Sequence, residues 1–220
     1  MTTIPYIIVQ SNRKTIALVV NSDGQLVVRA PYKVSKKEIN SLIKKKEHWI
    51  FEKQLQISTF SEKYSSITAV DGEAVLYLGN VYAIQHGECE HISISSTFLQ
   101  VPMEYLMNDI IVWLKKEALR IVTERTIFYA DLMGAKYSAI NLSEAKSRWG
   151  SCSAKNSLNF AWRLIMCPIA SIDYIVVHEL SHIEYKNHGA EFWARVKTVL
   201  PNYKEQQDWL KLNRKLMEII

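Results

Sequence analysis

The sequence predicts an α+β fold, and three observations carry that expectation. Short runs of β-branched and apolar residues crowd residues 5–30 and 73–102. One long stretch of helical periodicity fills residues 103–134. Beyond it, strand-like runs give way to helical patterns that continue to the C-terminus. Strands and helices therefore come in blocks rather than in strict alternation.

Taken in order, YIIVQS, KTIALVV and QLVVRAP read as strands, with Asn21–Gly24 (NSDG) as the turn before the last. Ser35 followed three residues later by Glu38 is a capping box. It predicts one helix over about residues 35–56, with Ile39, Leu42, Ile43, Trp49 and Ile50 as its apolar stripe. Residues 57–68 (ISTFSEKYSSIT) are rich in Ser and Thr and read as a linker. EAVLYLG, VYAIQHG, HISISS and TFLQVP return to strand patterns. After Pro102 a long helix is expected to run to Gly134, with Ile110, Ile111, Leu114, Ala118, Ile121, Val122, Tyr129 and Leu132 at helical spacing. SAINLS, SRWGSCS and SLNFAWRLI read as strands, the last two joined by a hairpin at AKN. Pro168 ends the final strand, and Ser171 is a candidate N-cap for the next helix, with Asp173 in its first turn. A helix from about Ala190 to Leu200 stops at Pro201, and another fills the C-terminus. This pattern divides the chain into a β-rich region, 1–100, that contains one amphipathic helix, and a second domain, 101–220.

Composition narrows the function. Of 220 residues, 48% are hydrophobic and 22% charged, which excludes a disordered chain. No apolar run approaches the roughly 18 residues a membrane-spanning helix needs. The apolar run Ile4–Val9 has no basic segment ahead of it and is shorter than a signal-peptide core, so a cytoplasmic protein is expected. Three cysteines, an odd number with no C-x-x-C pair, suit a reducing compartment and favour neither a disulfide framework nor a cysteine zinc cluster. Cys152 is a candidate nucleophile only where its surroundings lower its pKa. The net charge of +5 is concentrated most densely between Lys33 and Lys53. That stretch is either a solvated helix face or a surface for nucleic acid or an acidic partner.

The chemistry lies in VVHELSHIEYKNHGAEFW, Val176–Trp193. On a helix, His178 and His182 stand one turn apart and can face one ion. Glu179 is turned about 100° from His178, at the edge of that face and placed to reach a water. Ile172, Val176, Leu180 and Ile183 form another face that packs inward. Burying two imidazoles and a carboxylate in such company costs several kcal/mol unless they have partners, and a cation is the obvious one. An accidental H-E-x-x-H is expected in roughly one such sequence in a hundred, so the motif alone is only suggestive. His188 adds weight. It follows Asn187 and precedes Gly189, residues that tolerate a left-handed backbone and let the chain bend back. Without a bend it would lie about 9 Å from His182 along the axis. Three readings stay open here: hydrogen-bonded core histidines, a metal site without catalysis, and a hydrolytic zinc site with one open position. The third accounts for most of the pattern.

At these residues the sequence resembles the YgjP-like metallopeptidases. The resemblance rests on Arg148-Trp149-Gly150-Ser151-Cys152, Trp162-Arg163-Leu164, His178-Glu179-Leu180-Ser181-His182, and Asn187-His188 leading to Phe192-Trp193. The VRAP segment and Trp49-Ile50 are similar as well. HGAEFW also resembles the SprT and WLM zincin groups. This similarity, rather than spacing, selects His188 over Glu184 or Glu191 as third ligand. Tyr185 stands where metzincins have glycine, so the chain is not read as one of them. The resemblance implies a zincin-like metallopeptidase domain over 101–220: an antiparallel or mixed sheet, an active-site helix and a long backing helix. It implies one Zn²⁺ per chain held by His178, His182 and His188, with Glu179 as general base. Tyr185, Arg148 and Arg163 are candidate oxyanion or substrate contacts. The expected substrate is a polypeptide in extended form, added to a sheet edge near SRWGSCS. The rival from another class is a metal-stabilised binding module without catalysis, associated with nucleic acid through the basic helix.

Overall fold

The computed structural model describes residues 4–21, 24–63 and 69–218, the side chains of 56–63 aside. The chain divides into two compact units, 1–65 and 66–220. The boundary expected near residue 100 therefore falls about 35 residues earlier. The reason is pairing and packing: the strands of 74–102 form a sheet of their own within the second unit.

In the first unit, β1 (Tyr6–Ser11), β2 (Ala17–Val20) and β3 (Leu26–Pro31) form a sheet in the order β1-β3-β2. β3 lies parallel to β1 and antiparallel to β2. Residues 22 and 23 of the expected turn lie outside the described residues, but Gly24 N–H donates to the Asn21 carbonyl across it. The capping box forms: the Ser35 hydroxyl accepts from Glu38 N–H, and Glu38 accepts from Ser35 N–H. One helix was expected here and two are present. α1 (Lys36–Lys45) ends at Lys46, whose backbone leaves the helical region, and α2 runs Glu47–Lys63. Residues 57–63 are thus helical rather than linker, and 64–68 lie outside the described residues. Ile39, Ile43 and Ile50 close a core with Leu26, Val28 and Ala30. Trp49, expected in that stripe, is 37% exposed, because the break at Lys46 shifts the helical phase.

In the second unit, β4 (Ala74–Tyr77), β5 (Asn80–Gly87), β6 (Ser93–Ser95) and β7 (Phe98–Pro102) form a sheet ordered β4-β5-β7-β6. α3 (Met107–Met133) is the long helix expected, closed by Gly134 at φ 63. Ile110, Leu114, Ala118, Ile121, Val122 and Tyr129 face inward, whereas Leu132, assigned to the same stripe, is exposed. β8 (Ala139–Ser143), β9 (Gly150–Cys152) and β10 (Ser157–Ala161) make a second sheet with β10 in the middle. β9 and β10 form the expected hairpin, with Asn156 left-handed at φ 59.

β10 stops sooner than the sequence pattern suggested. Trp162–Met166 coils into a fully buried 3₁₀ turn. α4 then spans Ile169–Glu184, so Pro168 and not Ser171 precedes it. Ser171 lies inside the first turn, buried, its hydroxyl donating to Gln206 Oε1 at 2.9 Å. α4 packs against α3, and Arg125 of α3 grips Asp173 through two hydrogen bonds of 2.6 and 2.9 Å. α5 (Ala190–Val199) and α6 (Tyr203–Leu212) complete the unit against α4.

Candidate metal centre

α4 carries most of the site because its sequence is apolar nearly all round. Ile172, Val176 and Leu180 are no more than 1% exposed, which fixes the helix in the core and commits His178 and Glu179 to partly and fully buried positions. The helix ends at Glu184, two residues after His182. Tyr185 is extended (φ −116, ψ 102), and the chain doubles back with Gly189 N–H donating to the Asn187 carbonyl. This bend was expected to use a left-handed Asn or Gly. Gly189 instead has φ −75, and Asn187 is not among the positive-φ residues. The extended Tyr185 supplies the change of direction.

The bend returns His188 to the helix. His188 Nε2 lies 3.0 Å from His178 Nε2. One donor atom from each of His178, His182 and His188 lies within 4.8 Å of the others. His182 Nδ1 is 3.0 Å from the Tyr185 carbonyl, which leaves Nε2 to face the cluster. A tetrahedral zinc would hold its nitrogen ligands roughly 3.3 Å apart, so the three rings could hold such an ion with little adjustment. Their protonation suits it. Burial, aided by the two neighbouring imidazoles, pushes His178 down to about 3, and burial also lowers His182. Neutral imidazoles are what a cation requires. A buried polar atom next to the motif histidines, Glu179 Oε2, has no hydrogen-bond partner among the described residues. Such an atom is costly to leave unpaired, and it marks the place as one built for a further occupant.

Aromatic rings brace the histidines from behind. Trp193 stacks on His188 at 5.7 Å and on Tyr203 at 5.3 Å; Tyr203 stacks on Tyr174, and Tyr174 meets His178 edge-on. The rings form a closed circuit through α4, α5 and α6. Tyr174 lies one turn before His178, a spacing legible in the sequence. Tyr203 carries no such signal, since only the packing of α6 brings it there.

Glu179 is 4% exposed, and burial raises its carboxyl to about 8, opposed by the positive charge of Arg148. Its side chain abuts Gly150, at the start of edge strand β9. The three expected oxyanion candidates are distributed unequally. Arg148 is exposed and close enough for its charge to act on Glu179. Arg163 is 3% exposed, with its guanidinium 3.7 Å from Glu144 and over the Trp162 ring. Tyr185 has its phenol raised chiefly by a hydrogen bond to Glu184. Cys152 is half-buried and its thiol is raised by burial, which is the wrong direction for a nucleophile.

A helix-borne H-E-x-x-H, a third histidine past the helix end and an adjoining sheet edge thus meet in one unit, an arrangement suited to metal-dependent hydrolysis. The family described as "YgjP-like, metallopeptidase domain" matches residues 14–213, and this chain belongs to it. The protein is therefore a metallopeptidase by family, a hydrolase whose family implies a metal and a polypeptide substrate. Among solved structures, the metallopeptidase zymogen abylysin of Pyrococcus abyssi is 22% identical, matching 40% of this chain and 90% of its own, with a TM-score of 0.38. The zymogen jannalysin of Methanocaldococcus jannaschii is 21% identical over 43% of this chain and 96% of its own, also at 0.38. No curated protein matches the chain significantly. Among the described residues, no helix is long and apolar enough to cross a membrane.

Proposed function

We propose that the protein is a zinc-dependent peptidase in which His178, His182 and His188 hold the ion and Glu179 is the general base. The observation that carries this reading is the convergence of three imidazoles beside a buried carboxylate with an oxygen unpartnered among the described residues. A bound zinc ion supplies Lewis acidity to the scissile carbonyl and to the attacking water. The remaining work falls to the chain. The Tyr185 carbonyl, 3.0 Å from His182 Nδ1, fixes that ring's tautomer and aims Nε2 inward. Trp193 holds the His188 ring, which has no helix of its own to orient it. Glu179 takes the proton of the attacking water and hands it to the leaving amine. Its carboxyl is pushed upward by burial, and a cation beside it opposes that shift, bringing it toward the neutral range where such a shuttle works best.

The substrate in this reading is an extended polypeptide lying along β9. That strand pairs with β10 on one side and forms the edge of its sheet on the other. Backbone amides there can add a strand, which positions a peptide bond next to Glu179 without demanding a particular side chain. Arg148, just before β9, is the candidate for the developing oxyanion, while Arg163 serves the Glu144 ion pair.

Glu179→Gln is the deciding experiment. It is expected to keep one zinc per chain, by elemental analysis, and to lose about 10²–10⁴-fold in kcat on a cleavable peptide. Undiminished cleavage would remove Glu179 from the mechanism. A protein that binds zinc yet cleaves nothing in the wild-type form would favour the non-catalytic binding module.

A second surface has its own support. Residues 1–65 hold eleven Lys and Arg against five Asp and Glu, a net +6, whereas residues 66–220 carry −1. Lys33, Lys36, Lys37, Lys44, Lys45 and Lys46 are exposed without a carboxylate partner among the described residues, and Tyr32 and Phe51 are exposed with them. Exposed cations in the same unit as exposed aromatics suit nucleic acid, and that is the partner we assign to this unit.

A further inference from the structure

The R-W-G-S-C segment contains a glycine whose backbone gives no reason for it. Gly150 is not among the glycines with positive φ, so any residue could adopt its conformation. The reason is space. A β-carbon on Gly150 would lie 2.7 Å from Glu179 Oε1, 2.8 Å from Cγ and 3.0 Å from Cδ. Unstrained contacts between such atoms stand at about 3.5 Å, so the two side chains cannot occupy this volume together.

Neither backbone can yield. Gly150 pairs with Phe160, which is fully buried, and the Trp149 carbonyl accepts from Ala161 N–H at 2.8 Å. On the other side, α4 is locked by Ile172, Val176 and Leu180. The part free to move is the Glu179 side chain, whose Oε2 has no hydrogen bond to hold it among the described residues.

We propose that Gly150 is a positioning residue: the bare backbone of β9 forms the wall against which the Glu179 carboxylate rests, and that wall sets the rotamer from which Glu179 reaches the reacting water. The inference rests on the reading of Glu179 as general base. It also gives a buried carboxylate, whose Oε2 has no hydrogen bond among the described residues, a surface to rest against. The orientation is imposed by shape, from a strand that simultaneously presents its free edge to the substrate. Glu179 and the peptide are thereby referenced to the same three residues of backbone.

The test is Gly150→Ala. Zinc stoichiometry and affinity are expected to stay within about twofold of wild type, since no ligand is touched. kcat on a peptide should fall at least about tenfold with KM little changed, as displacing a reacting group by an ångström does. A crystal structure should show Glu179 in a new rotamer while residues 147–153 and 172–184 superpose on the parent. Wild-type kcat, or an unmoved Glu179, would overturn the proposal. If Gly150→Ala does not fold, adding Glu179→Ala removes all three clashing atoms and is expected to restore soluble, zinc-loaded protein; continued misfolding would overturn it too. Failure of the base assignment looks different. There Glu179→Gln would cleave normally, while the crystallographic displacement of Glu179 in Gly150→Ala would still be seen.

Discussion

At the scale of the residue, Glu179 and Arg148 are the informative side chains. In the metal-free protein, burial raises Glu179 from its ordinary 4.5 to about 8. A carboxyl raised on folding favours the fold fully below about pH 4.5, and that contribution is lost as pH climbs toward 8. Within this window the stability of zinc-stripped protein should fall by up to roughly 1.4 kcal/mol per pH unit on account of Glu179. Glu179→Gln cannot ionise and should lack that slope, as urea unfolding at pH 5 and pH 8 would show; identical slopes would refute the assignment. Arg148→Ala should lower kcat about 10- to 100-fold with the melting temperature nearly unchanged. Arg163→Ala should do the reverse, because it removes a buried side chain packed on the Trp162 ring; measuring kcat and thermal unfolding for both variants separates the roles.

At the scale of the element, the site depends on how α4 is seated. Its entry at Pro168 is held by a turn from the other sheet, where Leu78 N–H donates to the Ile165 carbonyl at 2.7 Å and Gly79 N–H to Met166 at 3.2 Å. Gly79 has φ 79, and a β-carbon there would meet the Pro168 ring at 2.8 Å and its backbone at 2.9 Å. A side chain is therefore doubly excluded. Gly79→Ala is expected to destabilise the protein by roughly 2 kcal/mol or more, read as a lowered urea midpoint, although residue 79 lies outside the metal site. The helices show how far pattern alone carries. α3, 27 residues long, was legible because apolar residues from Ile110 onward keep one helical period up to the stop at Gly134. The single helix expected over 35–56 was not, because a break costs one residue, Lys46, and leaves the period on either side intact. SLNFAWRLI read as one strand because a 3₁₀ turn buried on all sides has the same apolar signature as a buried strand.

At the scale of the whole molecule, charge is divided between the two units, +6 and −1. Polyanion binding should therefore depend on residues 1–65 and leave peptide cleavage alone. Lys37→Glu with Lys44→Glu, two turns apart on α1, should weaken oligonucleotide binding at low salt severalfold or more without changing kcat. The logarithm of the wild-type affinity should decline linearly with the logarithm of salt concentration. Fluorescence anisotropy with single-stranded and duplex probes measures this, and no binding at low salt would end the assignment.

The sequence by itself determined the geometry that rides on local spacing. Histidines at i and i+4 with a glutamate between them are placed by the helical repeat alone, and the apolar residues around them commit that helix to the core. It also determined the caps at Ser35 and Gly134 and most of the strands, which answer to neighbours a few residues away. Tertiary structure alone decided what depends on residues far apart in the chain. The unit boundary lies at 65 because 74–102 pair among themselves and belong to the unit that holds α3. Tyr203 reaches Tyr174 and Trp193, the rings that touch the histidines, because α6 packs on α4. Gly150 faces Glu179 because a hairpin and a helix meet at van der Waals distance, a juxtaposition of 29 positions in sequence that no local period encodes.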